Sequence, residues 1–131
     1  MIIGLGCDIV NIERINKSET FLKQFQNKIL GPSELQEIFQ KLTLSQKERA
    51  CLLAKYFAAK EAFVKALGTG FRNGIFLKDI QVLHNTLGKP EIIVSGNAHL
   101  TLEKIANNSN IFVSLSDDYP YAEAVVIIEE K

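Results

Sequence analysis

SQKERACLLAKYFAAKEAFVKALG, Ser45 to Gly68, is the stretch whose reading decides the fold. Ser45 and Glu48 are spaced as a capping box, in which each side chain satisfies the other residue's free backbone N–H at a helix start. Gly68 suits the left-handed cap at the far end, so a helix is predicted over Gln46 to Leu67, about 33 Å long at 1.5 Å per residue. At 100° per residue Leu52, Tyr56, Ala59, Phe63 and Leu67 fall on one stripe that must face a core, and Glu61 and Lys65 point the opposite way. Ala54, Phe57, Ala58 and Gly68 surround those two charges, so that face too is expected to be in contact. The acid and base have two readings. One is an i, i+4 ion pair, contributing about 0.2–0.5 kcal/mol on an exposed helix; the other is a phosphate and metal site that a ligand approaches closely across the alanines.

Outward toward the N-terminus, Ile2 to Val10 reads as a strand. Ile3, Leu5, Cys7 and Ile9 alternate onto one face, and Gly4, Gly6 and Asp8 share the other. Glycines inside a strand mark a bulge or the close approach of another backbone or a ligand, which clears space beside Asp8. A first helix is predicted over Ile12 to Leu30, anchored by Ile15, Leu22, Phe25 and Ile29 and stopped by Gly31-Pro32. Ser33-x-x-Gln36 matches a second capping box, so another helix is expected before the long one. Toward the C-terminus, Ile80 to Leu83 and Glu91 to Val94 flank a hairpin-like Asn85-Thr86-Leu87-Gly88, and Ala98 to Ala106 reads as a short helix. Ile111 to Ser116 and Tyr121 to Glu129, rich in Val, Ile and Tyr around a turn at Asp117 to Pro120, predict a second antiparallel hairpin. The expected fold class is α+β, an antiparallel β-sheet packed with helices, in a single domain spanning 1–131.

Composition narrows the function classes. The 131 residues suffice for one domain with its own core, and 47% hydrophobic with 23% charged residues is ordinary for a globular protein. No apolar run approaches a membrane span, and Met1-Ile2-Ile3-Gly4 lacks the basic start of a signal peptide. Cys7 and Cys51 lie far apart among apolar neighbours, which suggests reduced core thiols in a cytoplasmic protein. Fifteen basic residues offset fifteen acidic ones, so there is no global field for nucleic acid. Residues 11 to 30 carry a local positive excess through Arg14, Lys17, Lys23 and Lys28. His84 and His99 lack metal-ligand spacing, and Phe21 and Phe25 read as helix packing.

Asp8 and Glu61 offer hard oxygen ligands, too few for a protein cage but enough for a Mg²⁺ that keeps waters and substrate phosphates in its octahedron. Lys65, one turn beyond Glu61, can hold a phosphate oxygen as a point charge. Gly68-Thr69-Gly70 is not a P-loop, because its glycines follow the helix and do not present a helix N-terminus to phosphate. A Mg²⁺-dependent nuclease is disfavoured by the neutral charge and by the helical spacing of Glu61 and Lys65. A non-catalytic adaptor, binding an acidic helix through residues 11 to 30, stays open.

Gly4-Leu5-Gly6-Cys7-Asp8-Ile9-Val10 with Glu13-Arg14-Ile15, followed by Phe57-Ala58-Ala59-Lys60-Glu61-Ala62-Phe63-Val64-Lys65-Ala66-Leu67-Gly68-Thr69-Gly70, resembles the holo-acyl-carrier-protein synthase family. The likeness continues through Leu87-Gly88-Lys89-Pro90 and Val113-Ser114-Leu115-Ser116 to Tyr121-Ala122, nearly the whole chain in the family's order. The resemblance implies transfer of 4'-phosphopantetheine from coenzyme A to a serine of apo-acyl carrier protein, in fatty acid biosynthesis and in the cytoplasm. It also implies Mg²⁺ on Asp8 and Glu61, and a catalytic trio of Asp8, Glu61 and Lys65. Lys65, Gly68 and Gly70 fall on the coenzyme A side. A homotrimer with sites between subunits is likewise implied. Carrier binding falls by the same resemblance to Arg14, Lys17 and Lys28. Phe21 and Gln24 depart from arginines present in some members, and Asp117 stands where many have histidine.

Overall fold

Ser45 Oγ accepts the Glu48 N–H at 3.1 Å and Glu48 Oε1 accepts the Ser45 N–H at 3.1 Å. Helix α3 accordingly runs over Gln46–Leu67, and Gly68 closes it with φ of 82°. The structure, a computed structural model, describes residues 1–41 and 43–131. Around α3 the other elements follow in order: strand β1 (Ile2–Asn11), helices α1 (Glu19–Ile29) and α2 (Pro32–Phe39), strands β2 (Ile80–His84) and β3 (Pro90–Val94), helix α4 (Gly96–Ile105), and strands β4 (Ser109–Asp118) and β5 (Tyr121–Glu130). The architecture is α+β, with an antiparallel three-stranded sheet in the order β1-β5-β4 and a separate β2-β3 hairpin.

α3 is the hub. Leu53, Ala58, Phe63 and Val64 are buried on different sides of it, and only Leu52 of the expected stripe stays half-exposed. A helix buried nearly all round has no single apolar face, and the small alanines let a sheet and other helices approach it from several directions. One side takes the inner face of the sheet, where Ala122, Ala124, Val126 and Ile128 of β5 are buried.

The alternation of β1 holds, but its burial is inverted. The glycine face packs on α3: a Cβ on Gly6 would stand 1.9 Å from the Ala62 carbonyl oxygen, and one on Gly4 2.2 Å from that of Ala66. Leu5 and Ile9 face outward and are 65% and 63% exposed. Cys7 lies on that outer face and is exposed, so it is not a core thiol; Cys51 is half-buried. The cause is helix-to-strand distance, because backbone contact with α3 is available only to residues without a Cβ.

The helix predicted from Ile12 begins later. Asn11 Oδ1 accepts the Glu13 N–H and supports a 3-10 turn over Ile12–Arg14, and Ser18 Oγ then accepts the Phe21 N–H at 3.0 Å to cap α1. Asn and Ser offer the backbone alternative partners, which is why this segment breaks into a turn and a shorter helix. Arg14 and Lys17 therefore precede α1, and Lys28 sits in its last turn. Ser33 does not cap α2 either. Pro32 occupies the first helical position, and Gln81 Oε1 of β2 accepts the Ser33 and Glu34 N–H groups at 2.9 and 3.1 Å.

Candidate active site

The close contact of β1 with α3 places the site. Gly4 and Gly6 seat the strand on the helix backbone, and Asp8, on the same face two residues further on, meets the turn of α3 that carries Glu61 and Lys65. Lys65 Nζ donates to Asp8 Oδ1 at 3.0 Å and to the Cys7 carbonyl oxygen at 3.0 Å. The i, i+4 pair with Glu61 is not formed among the described residues; Lys65 reaches across to the strand instead. The hydrogen bond it donates to Asp8 is the main cause that raises the Lys65 ammonium above its ordinary range.

Glu61 is half-buried. Burial pushes its carboxyl above the usual carboxylate range, the neighbouring Asp8 charge pushes it further, and Lys65 partly offsets both. Two acids of different elements thus share one location at a cost in charge repulsion, the arrangement a divalent cation relieves. Among the described residues no group of three or more His, Cys, Asp and Glu side chains is placed to hold a metal. The donor set here is two carboxylates, which suits an ion that draws its remaining oxygens from water and substrate.

Asp8 and Glu61 open onto a cleft of about 420 Å³, bordered also by Arg14, Phe21, Phe25 and Phe57. Gly68 and Gly70 follow Lys65 at the end of α3 with φ of 82° and 63°, with open space where side chains would stand. Lys17 does not border the cleft; its Nζ stands 5.0 Å from the centroid of the Phe21 ring. Lys28 lies away from the cleft. Asp117 pairs with Lys55 at 3.1 Å. His84 is half-buried beside Tyr56, and exposed His99 pairs with Glu103 at 2.9 Å.

Sequence reasoning missed Lys60 and Glu34, both fully buried and paired at 2.7 Å. The Lys60 ammonium also donates to the carbonyl oxygens of Leu77 and Ile80, and the Glu34 carboxylate accepts the Gly31 and Val82 N–H groups, each at 2.9 Å. Lys60 falls one turn from both Tyr56 and Phe63, positions already assigned to the core, and that spacing was the available signal. Of the aromatic lining of the cleft, Phe57 belongs to the face expected to be in contact around Glu61 and Lys65, whereas the sequence presents Phe21 and Phe25 only as helix packing.

The 4'-phosphopantetheinyl transferase superfamily model matches residues 4–124. A holo-[acyl-carrier-protein] synthase of Wolbachia pipientis is 47% identical over 129 residues, covering 98% of each chain. The crystal structure of holo-[acyl-carrier-protein] synthase from Neisseria meningitidis superposes with a TM-score of 0.83 at 38% identity, covering 99% of this chain and 100% of that one. A Bacillus anthracis holo-(acyl-carrier-protein) synthase, solved in complex with CoA (3',5'-ADP), gives a TM-score of 0.77 at 32% identity, covering 100% of this chain and 99% of that one. A glycine-faced strand laid on an alanine-rich helix, joining Asp8 to Glu61, is thus found in a chain that matches these proteins from end to end, and the chain belongs to the holo-[acyl-carrier-protein] synthase family of the 4'-phosphopantetheinyl transferase superfamily.

Proposed function

We propose that this chain transfers the 4'-phosphopantetheine group of coenzyme A to a serine of apo-acyl carrier protein, giving holo-carrier protein and adenosine 3',5'-bisphosphate. The observation that carries the proposal is the meeting of Asp8 and Glu61 beside Lys65 at one cleft. In the reaction the serine oxygen forms a bond to the phosphorus on the pantetheine side of the pyrophosphate. The bridging P–O bond breaks, and its electron pair leaves with the bisphosphate. Phosphoryl transfer of this kind demands positioning and charge neutralisation more than covalent help from the protein.

Asp8 and Glu61 are the residues that would hold Mg²⁺, which when bound offsets the charge of the pyrophosphate. Lys65 adds a fixed positive charge at the same edge, with its ammonium already oriented by Asp8 and the Cys7 carbonyl. Gly68 and Gly70 leave room beside it for the nucleotide portion. A Glu61 carboxylate oxygen is the candidate acceptor for the serine proton. Arg14, at the cleft, is the candidate contact for the carrier, and Lys17 and Lys28, which do not border the cleft, are the candidate outer contacts.

The assembly we infer is a homotrimer of single-domain subunits, with sites at subunit interfaces. The exposed apolar outer face of the sheet, carrying Leu5, Ile9 and Phe112, is suited to be covered by another subunit. Two free cysteines accord with a reducing cytoplasmic setting; the role in fatty acid biosynthesis follows from the proposed carrier substrate, and no described helix is long and apolar enough to cross a membrane.

The test is direct. Incubated with coenzyme A, Mg²⁺ and an apo-acyl carrier protein, the enzyme is expected to add the phosphopantetheine mass to the carrier's serine, read by intact-protein mass spectrometry. A competent carrier that stays unmodified would leave the adaptor reading in its place.

A further inference from the structure

Of the three charges at the site, Lys65 is the one free to move. Asp8 sits on a strand paired with β5, opposite Ala124, and pressed against the α3 backbone at Gly4 and Gly6. Its side chain is 18% exposed, whereas that of Lys65 is 52% exposed. Lys65 stands in the last turn of α3, before Gly68 and Gly70, where a Cβ would meet open space. Its ammonium donates to Asp8 Oδ1 and to the Cys7 carbonyl oxygen, both at 3.0 Å, which uses two of its three N–H donors. Glu61 is left outside this pairing.

The ammonium and a divalent cation therefore compete for one carboxylate. A cation on Asp8 and Glu61 draws on the oxygens that Lys65 already neutralises, and it faces the repulsion of a like charge close by. A pyrophosphate reverses the balance. It offers the ammonium anionic oxygens in exchange for Asp8, and it offers the cation the oxygens that two carboxylates do not supply. We propose that Lys65 is an internal counter-ion of Asp8 that holds metal affinity low until coenzyme A arrives. Its bond to Asp8 is then exchanged for one to the pyrophosphate, with the Cys7 carbonyl as the pivot that keeps the ammonium at the same edge. Divalent cation and coenzyme A load cooperatively, and each raises the affinity for the other by the same factor.

This inference rests on the transfer reading above, and its test reads binding instead of transfer. Mn²⁺, a paramagnetic stand-in for Mg²⁺, is titrated into the wild type, Lys65→Met and Lys65→Arg at low salt, and free Mn²⁺ is followed by electron paramagnetic resonance. Each titration is repeated with saturating coenzyme A, and a protein-free control corrects for Mn²⁺ held by coenzyme A itself. Methionine keeps the apolar stem at an exposed position and removes the charge. Without coenzyme A, Lys65→Met is expected to bind Mn²⁺ about three- to tenfold more tightly than the wild type, the size of a lost exposed ion pair and a lost like-charge repulsion in high dielectric. Lys65→Arg, which keeps the charge, is expected to stay close to the wild type. The gain in Mn²⁺ affinity from coenzyme A is expected to be larger in the wild type than in Lys65→Met. Lys65→Met binding Mn²⁺ no more tightly than the wild type, or an equal gain from coenzyme A in both, overturns the proposal. If the expected binding is found but the wild type leaves a competent carrier unmodified, the exchange at Asp8 stands and the activity reading falls.

Discussion

Glu61→Gln is expected to lower kcat for carrier modification by about 10²–10⁴-fold, the range for loss of a positioned proton acceptor. Glutamine keeps the shape of the side chain and its place on α3 but removes the negative charge, and with it one of the two anionic oxygen donors and the proton acceptor. Its effect belongs to the chemical step. Arg14→Ala, on the rim of the same cleft, is expected to raise the carrier KM and leave kcat near that of the wild type, because in the proposed reading the guanidinium contacts the carrier and not the reacting atoms. Steady-state kinetics with varied apo-carrier separate the two. Equal kcat losses in both variants would contradict this division of labour.

Lys60→Ala is expected to destabilise the fold by about 3–5 kcal/mol, the range for removing one partner of a buried ion pair. The Lys60 ammonium ties α3 to Glu34 of α2 and to the carbonyl oxygens of Leu77 and Ile80 leading into β2. Without it the Glu34 carboxylate is left in the interior with no cation, and two carbonyl groups lose their donor. Burial drives the Lys60 ammonium downward and the Glu34 carboxyl upward in proton affinity, and each opposes the other's shift. Urea unfolding at matched protein concentration measures the loss. The double variant Lys60→Met with Glu34→Gln is expected to recover part of it, since no unpaired charge remains. A cost below about 1 kcal/mol for Lys60→Ala would show that the pair does not anchor the helices.

How much of this was legible in the sequence depends on whether the cause is local. The limits of α3 are fixed by Ser45, Glu48 and Gly68, all within hydrogen-bond reach of the helix ends, and they fall where the sequence puts them. The start of α1 does not, because Asn11 and Ser18 compete as caps and the apolar spacing of Ile12 to Ile29 conceals the break. The side on which β1 is buried was hidden for another reason. Apolar alternation pointed to Leu5 and Ile9, whereas backbone contact with Ala62 and Ala66 chose Gly4 and Gly6. For the site, the pattern that brought Asp8 and Glu61 to notice was sound about their placement, but the partner of Lys65 is Asp8 and not Glu61. Lys60 escaped notice because its helical spacing marks a core position but not the partner that allows a lysine there: Glu34 lies 26 residues away.

The account rests on two carboxylates acting together on one divalent cation, and metal dependence of transfer tests this most directly. Enzyme, carrier and coenzyme A are freed of metal with a chelator, and phosphopantetheine incorporation is followed as Mg²⁺ is returned. The expected result is transfer reduced to background without metal and restored by Mg²⁺ in the wild type, with the Mg²⁺ requirement shifted to much higher concentration in Asp8→Asn. Full-speed transfer by the metal-free wild type would contradict the account.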